Sequence, residues 1–362
     1  MADKPRSEVF DPDVVGVYHC FNQAVQQRFL FGKDELSGKD YSYRKAEVRE
    51  QFRELAGVMA VEVLDFAILD NHLHVVLRNR PDIVKTWSDE EVAERWYRVC
   101  PPRRNADGSV PDPKPCEIKL LLPDVKKYRE QLSHISWMMR LGTQRIARRA
   151  NQEDETKGHF FAGRYQGERL ETELDVLNCS LYVDLNWIHA GLAETPEDSV
   201  YTSAYDRIQA RWQATMEGAS LEEDYRPPDD WLAPIFLDER SHAYAPVASD
   251  SDIDTDTENA VNTEGTAATD DVHTANGCNP VGSARLSNKG FLAMELHQYL
   301  TLLDSLGRVL RADKRGSIPD HLPPILKRLG TDPQTWVNSF LERFGSSRWR
   351  HPPPPSPAAA SS

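Results

Sequence analysis

The chain of 362 residues lacks any run of 18 apolar residues, so no membrane-spanning helix is expected. Its first residues, Met1-Ala2-Asp3-Lys4-Pro5-Arg6, carry charge with no apolar stretch behind it, which disfavours a secretory leader. Cysteine is scarce and unpatterned. Cys20, Cys100, Cys116, Cys179 and Cys278 are odd in number and form no CxxC pair, which excludes a disulfide framework and a zinc knuckle. There is no internal repeat. A soluble protein in a reducing cytoplasm is expected, and a 40% apolar composition suffices for a real core.

Positive charge is also short overall, with a net charge of −14, an odd balance for a chain that meets nucleic acid. Its distribution changes that picture. Residues 215–284 hold sixteen Asp and Glu against Arg226 and Arg240, so the deficit sits in this one segment and the rest of the chain is neutral. Residues 126–169 carry ten basic residues against five acidic ones. Arg140, Arg145, Arg148, Arg149 and Arg164 among them form a local positive surface suited to a polyanion, or simply a solvated helix face.

Residues 248–284 are rich in Asp, Thr, Asn and Ala and poor in large apolar side chains, which predicts a disordered acidic linker. It follows an acidic extension (216–247) and divides a main domain (10–215) from a helical module (286–346). The end of the chain, 347–362, is a proline-rich tail expected to be disordered. In the module, Leu292, Leu296, Tyr299, Leu300, Leu303 and Leu306 make a helical stripe. The basic residues Arg308, Arg311, Lys314 and Arg315 come next, and Trp336, Phe340 and Phe344 recur on a further helix. A positive edge for DNA or a partner protein and a solubilised appendage fit this pattern equally.

The main domain opens with a strand at 14–21. A helix follows in which Val48, Phe52, Leu55, Ala56 and Met59 share a face, and two strands, 61–69 and 72–77, turn at Asp70-Asn71. Residues 82–123 are an irregular insertion with a capping box at Ser88–Glu91. One long helix is predicted over 125–150, with Leu132, Ile135, Met139, Thr143 and Ile146 buried. A strand near 170 and a helix over 173–187 complete the order β-α-β-β-α-β-α. That order belongs to the α+β class, an antiparallel sheet with helices packed on it.

Two pairs of residues carry chemistry. His72 and His74 alternate onto one strand face, where two imidazoles can bind one divalent cation, although two histidines on a wet strand face fit as well. On helix 173–187, Leu174, Leu177, Leu181 and Leu185 form the expected core stripe. Tyr182 and Asn186 then stack one turn apart on a second face. A phenol is a recognised covalent nucleophile and an amide oxygen a neutral ligand. A boundary tyrosine and a helix-capping asparagine would look the same.

Four blocks then resemble one family over about half of the chain. Val17-Tyr18-His19-Cys20 is similar to its first strand, and Phe66–Val76 to its His-hydrophobic-His strand, with Asp70 where proline is usual. Gly158–Tyr165 resembles a GHxFxGRY/F block. Tyr182–Leu192 resembles a YxxxNPxRAGL block, with Trp187 in place of proline and His189 in place of arginine. The family is that of the HUH single-strand transposases with one catalytic tyrosine, specifically the REP-associated tyrosine transposases. The resemblance implies a ferredoxin-like antiparallel sheet, often in a homodimer, acting on single-stranded DNA near hairpins. It also implies Tyr182 as the nucleophile and His72, His74 and Asn186 as ligands of Mg2+ or Mn2+.

In that reading Tyr182 forms a 5′-phosphotyrosine and frees a 3′-OH, and a second 3′-OH reverses the step without ATP. Phenols are protonated at neutral pH, and His19, His159 and His189 are the candidates for the assisting base. Arg140, Arg145, Arg148, Arg149 and Arg164 neutralise phosphates, while Phe160, Phe161 and Tyr165 either stack on bases or pack in the core. A repeat-DNA-binding regulator of the same fold and a metal hydrolase that needs no covalent tyrosine are the competing readings.

Overall fold

The computed structural model describes residues 9–106, 108–216, 226–236, 279, 283–309 and 314–329. The proline-rich tail, the expected helix bearing Trp336, Phe340 and Phe344, and most of the predicted linker lie outside these residues.

Four strands build the sheet: β1 (Gly16–Gln23), β2 (Val61–Ile68), β3 (His72–Asn79) and β4 (Gln166–Leu170). Their order is β2-β3-β1-β4 and every pairing is antiparallel. Helix α1 (Tyr43–Ala56) crosses between β1 and β2. The chain then runs through α2 (Asp89–Val99), α3 (Pro115–Leu121), α4 (Val125–Leu132) and α5 (Ile135–Glu153) before β4. The longer helices that follow are α6 (Glu173–Asp184), α7 (Ser203–Met216) and α8 (Leu296–Gly307). This is the α+β arrangement that the order of elements predicts, with the ferredoxin-like sheet that the resemblance implies.

Strand alternation divides the sheet into two faces. On the first, Tyr18, Cys20, Leu73, Val75 and Leu77 pack with Val48, Phe52 and Leu55 of α1 and with Met138, Met139 and Ile146 of α5. The two helices approach closely at Gly142, where an added Cβ would lie 2.5 Å from Cζ of Phe52. The insertion joins this face through α2, whose Trp96 stacks on Tyr128 of α4 at 4.5 Å. Ser88 caps α2, its Oγ accepting from the Glu91 N–H at 3.1 Å, which is the Ser88 half of the expected capping box.

The helix predicted over 125–150 is two helices. His134 adopts extended backbone and caps α5, its Nδ1 accepting from the Ser136 N–H at 3.0 Å, while the Leu132 carbonyl accepts from Ala60 at the entry to β2. A local cap and a tertiary bond thus outcompete continuous helix.

On the second face, Leu64, Ala67 and Val76 pack with α6, α7 and α8 in one apolar cluster. The C-terminal segment from 283 onward therefore shares its core with the sheet and α6. Even the end of the predicted linker is close-packed, since a Cβ on Gly57 would meet the Ser283 carbonyl oxygen at 2.2 Å. Residues of the acidic extension cover the free edge of β2, with the Ala233 N–H donating to the Val63 carbonyl at 2.8 Å. Among the described residues no helix is long and apolar enough to cross a membrane.

The leucine stripe is largely on the buried face of α6: Leu181 and Leu185 are buried and Leu177 packs against the same cluster, whereas Leu174 is 62% exposed. Val176, Cys179, Ser180, Val183 and Asp184 widen that face. Polar anchors hold it in place. The Ser180 hydroxyl donates to Asp65 at 2.5 Å, and Asp65 pairs with Arg207 at 2.7 Å. Asp184 accepts from Ser203 at 2.5 Å, the Ala204 N–H at 2.9 Å and the Tyr299 hydroxyl at 2.7 Å. Burial and the nearby Asp65 hold the Asp184 carboxyl above the ordinary carboxylate range.

Candidate active site

β3 starts at His72, so His72 and His74 share the second face with His19 and Phe21 of β1, whose Phe21 lies opposite His74. The His72 and His74 rings are 5.0 Å apart, and those of His74 and His19 are 5.1 Å apart and nearly parallel.

The hydrogen bonds fix which ring nitrogens are free. Asn71 Nδ2 donates to the Gln27 carbonyl at 3.3 Å, which turns Asn71 Oδ1 toward Nδ1 of His72 at 2.6 Å. An amide oxygen only accepts, so His72 carries its proton on Nδ1 and keeps the lone pair on Nε2. Nδ1 of His74 lies 2.9 Å from Nε2 of His19, and its Nε2 is buried with no hydrogen-bond partner among the described residues.

Burial lowers His19 and His72 to about 4, with Lys314 adding to the shift at His72 and Asp70 opposing it. His74 is held well below the usual imidazole range by burial and by its charged or chargeable neighbours His19, His72 and Lys314. All three rings are neutral at physiological pH, the form that ligates metal.

α6 brings Tyr182 to this cluster. A reciprocal cap of Thr172 and Asp175 starts the helix, and three turns later the Tyr182 ring meets His74 edge-on at 5.6 Å and His19 at 6.2 Å. The tyrosine is 39% exposed, so the site opens to solvent. The helix steps at Leu185 and resumes as the short turn Asn186–His189. Asn186 is buried there, and its Nδ2 has no partner among the described residues.

An orphaned imidazole nitrogen, a second imidazole with its Nδ1 occupied and a buried amide suit a divalent cation that accepts nitrogen and oxygen. Among the described residues no three His, Cys, Asp or Glu side chains form a metal-binding group.

Two of the three departures from the resembled motif blocks, Asp70 and Trp187, are joined. Asp70 pairs with Lys45 at 2.5 Å, and the same Nζ lies 5.1 Å from the centroid of the Trp187 ring. Trp187 Nε1 also donates to the Ile68 carbonyl at 2.8 Å. The hairpin that carries the histidines is thereby tied to the turn that carries Asn186. His189 is buried at the end of that turn.

Other predicted residues stand elsewhere. Phe160, Phe161 and Tyr165 are buried in the core of the first face, with the Tyr165 hydroxyl 2.7 Å from that of Ser136. His159 is exposed in the same loop. Arg145 pairs with Glu54 at 3.3 Å and Arg149 with Glu47 at 3.1 Å, both acidic partners lying on α1. Arg140 sits over Trp137 and, with Arg164, lines a cleft of about 420 Å³, while Arg145 and Arg148 line a second, smaller one of about 200 Å³. The four arginines on α5 thus lie across the sheet from Tyr182. One cation that sequence reasoning placed only in a distant basic cluster is at the site instead: Lys314 Nζ is 5.8 Å from the centroid of the Tyr182 ring.

No family model matches the chain, and no curated protein matches it. Among solved structures, that of a REP-associated tyrosine transposase bound to a REP hairpin is similar at 11% identity. The match covers 63% of this chain and 96% of that one, with a TM-score of 0.33. The functional reading rests on the residues themselves.

Proposed function

We propose that the chain is a metal-dependent strand-transferase for single-stranded DNA, a transposase that nicks and rejoins DNA near hairpins through a 5′-phosphotyrosine. The observation that carries this reading is the Tyr182 ring set edge-on against His74, whose buried Nε2 has no partner among the described residues. A water-using hydrolase has no need of a half-exposed tyrosine at that place. The family resemblance of the four sequence blocks points to the same chemistry.

His72, His74 and Asn186 would hold Mg2+ or Mn2+, which when bound supplies Lewis-acid relief of charge at the scissile phosphate. Tyr182 Oη attacks phosphorus; the Oη–P bond forms as the P–O3′ bond breaks. The phenolic proton is lost and the departing 3′-oxygen ends as a hydroxyl. The phosphoester is conserved, so a second 3′-OH can attack it and release Tyr182. Asn71 and His19 act by holding the two imidazoles in fixed tautomers and orientations.

The test uses end-labelled single-stranded hairpin oligonucleotides from the DNA flanking the gene, with Mn2+ or Mg2+, read on denaturing gels. A metal-dependent protein–DNA adduct that disappears in Tyr182→Phe is expected. Cleavage that persists in the variant would replace this reading with the hydrolase. Tight binding without cleavage on several flanking substrates would replace it with the regulator.

A further inference from the structure

The C-terminal segment does more than cover the second face. After α8 the chain comes back to the turn that follows Tyr182 and is held there by backbone contacts. The Arg315 N–H donates to the His189 carbonyl at 3.0 Å, and the Ile318 N–H to the Gly307 carbonyl at 2.8 Å. Gly316 lies so close to the turn that a Cβ there would meet the Ile188 carbonyl oxygen at 2.3 Å. Ile318 is fully buried in the cluster that also holds Leu185 and Ile188.

This docking places the Lys314 ammonium 5.8 Å from the centroid of the Tyr182 ring. A phenolic oxygen stands a little under 3 Å from its ring centre by ordinary bond lengths, so a phosphate bonded to it falls within reach of a flexible lysine. Among the described residues no carboxylate lies within ion-pairing distance of Lys314. Arg145 and Arg149, by contrast, are engaged by glutamates across the sheet.

Resting on the reading above, we propose that Lys314 is a further catalytic residue, a phosphate clamp that the C-terminal segment delivers to the tyrosine. Its ammonium contacts a non-bridging oxygen of the scissile phosphate and stabilises the charge that grows there as the Oη–P bond forms and the P–O3′ bond breaks. The lysine stays protonated throughout and exchanges no proton with the substrate. Because it is supplied from beyond residue 283, the main domain alone would have an incomplete site.

The test compares full-length wild type with Lys314→Gln, Lys314→Met and Lys314→Arg. Single-turnover adduct formation is measured on the flanking hairpin oligonucleotides at saturating concentration. Hairpin affinity is measured separately in a Tyr182→Phe background, and thermal unfolding checks the fold. Both neutral variants should slow adduct formation by about 100-fold, the scale for loss of one preorganised charge donor. Their melting and hairpin affinity should stay near wild type, and Lys314→Arg should recover most of the rate. Wild-type rates in both neutral variants would overturn the proposal. So would a loss confined to affinity, or a rate that falls only in step with stability. If wild type itself forms no adduct, the functional reading fails and this inference with it; an adduct formed equally by the neutral variants removes this inference alone.

Discussion

The two faces of one sheet are built on different terms. The first is an apolar contact in which Tyr18, Leu73, Val75 and Leu77 meet Phe52, Met138 and Met139, all nearly or fully buried. The second buries charge and hydroxyls beside its apolar cluster: Asp65, Arg207, Ser180, Asp184 and Tyr299, together with His74 and the half-buried His19 and His72 at the site end. Apolar burial is non-directional and tolerates sliding. Buried polar groups lose free energy unless each partner is met, so a satisfied network fixes the position of its helix. The helix held that way is α6, which carries Tyr182. Precision thus sits on the face where the chemistry needs it.

The sharpest way to break this comparison is to exchange damage between the faces. His74→Ala should abolish adduct formation, a loss of at least about 1000-fold, at a stability cost of about 1–3 kcal/mol for the lost bond to His19. A variant that keeps its activity would show the second face to be structural. Phe52→Ala on the first face should do the reverse. It is expected to cost about 3–5 kcal/mol in denaturant unfolding and leave the adduct rate of the folded fraction near wild type.

Smaller effects sharpen the same contrast. Gly142→Ala forces a methyl against Phe52 and should cost about 1–3 kcal/mol with no change in chemistry. Tyr299→Phe removes one of three hydrogen bonds to Asp184. It should cost about 1–3 kcal/mol and also slow adduct formation, because α8 steadies the tyrosine helix through that bond. Equal stability loss with an unchanged rate would mean that the network stabilises α6 without positioning it.

The smallest effect is a pH slope. His19 titrates near 4 in the folded site because burial disfavours its charge, against about 6.5 in an unfolded chain. Between those values the unfolded chain takes up a proton that the folded site refuses. The stability that the neutral ring contributes is therefore whole above pH 6.5 and lost as pH falls toward 4. In melts from pH 7 to pH 4.5, His19→Gln should lose less stability than wild type. Parallel curves would show that His19 is not the neutral, buried group described.

The order of strands and helices was legible because it depends on local patterns. Alternation placed His72 and His74 on one face, a capping residue started α2, and a tight turn joined β2 to β3. Spacing also read Tyr182 and Asn186 as one turn apart on a single helix over 173–187, but α6 ends at Asp184 and Asn186 opens the next short turn. Periodicity failed where distant bonds competed with local ones. The Leu132 carbonyl is taken by Ala60, which helps to split the long helix. Leu174 of the predicted stripe is exposed, and Ser180 and Asp184 add polar anchors to the buried face of α6 that periodicity does not indicate.

What followed from the sequence alone, then, was the fold class and the placement of His72 and His74 on one strand face, because strand and helix periods act over a few residues. Only the tertiary structure decided which nitrogens of those histidines are free, that Asp70 and Trp187 share Lys45, and that Lys314 stands beside Tyr182. Each of these joins residues far apart along the chain. Such contacts follow from how faces pack and which buried polar groups find partners, and no local spacing encodes that.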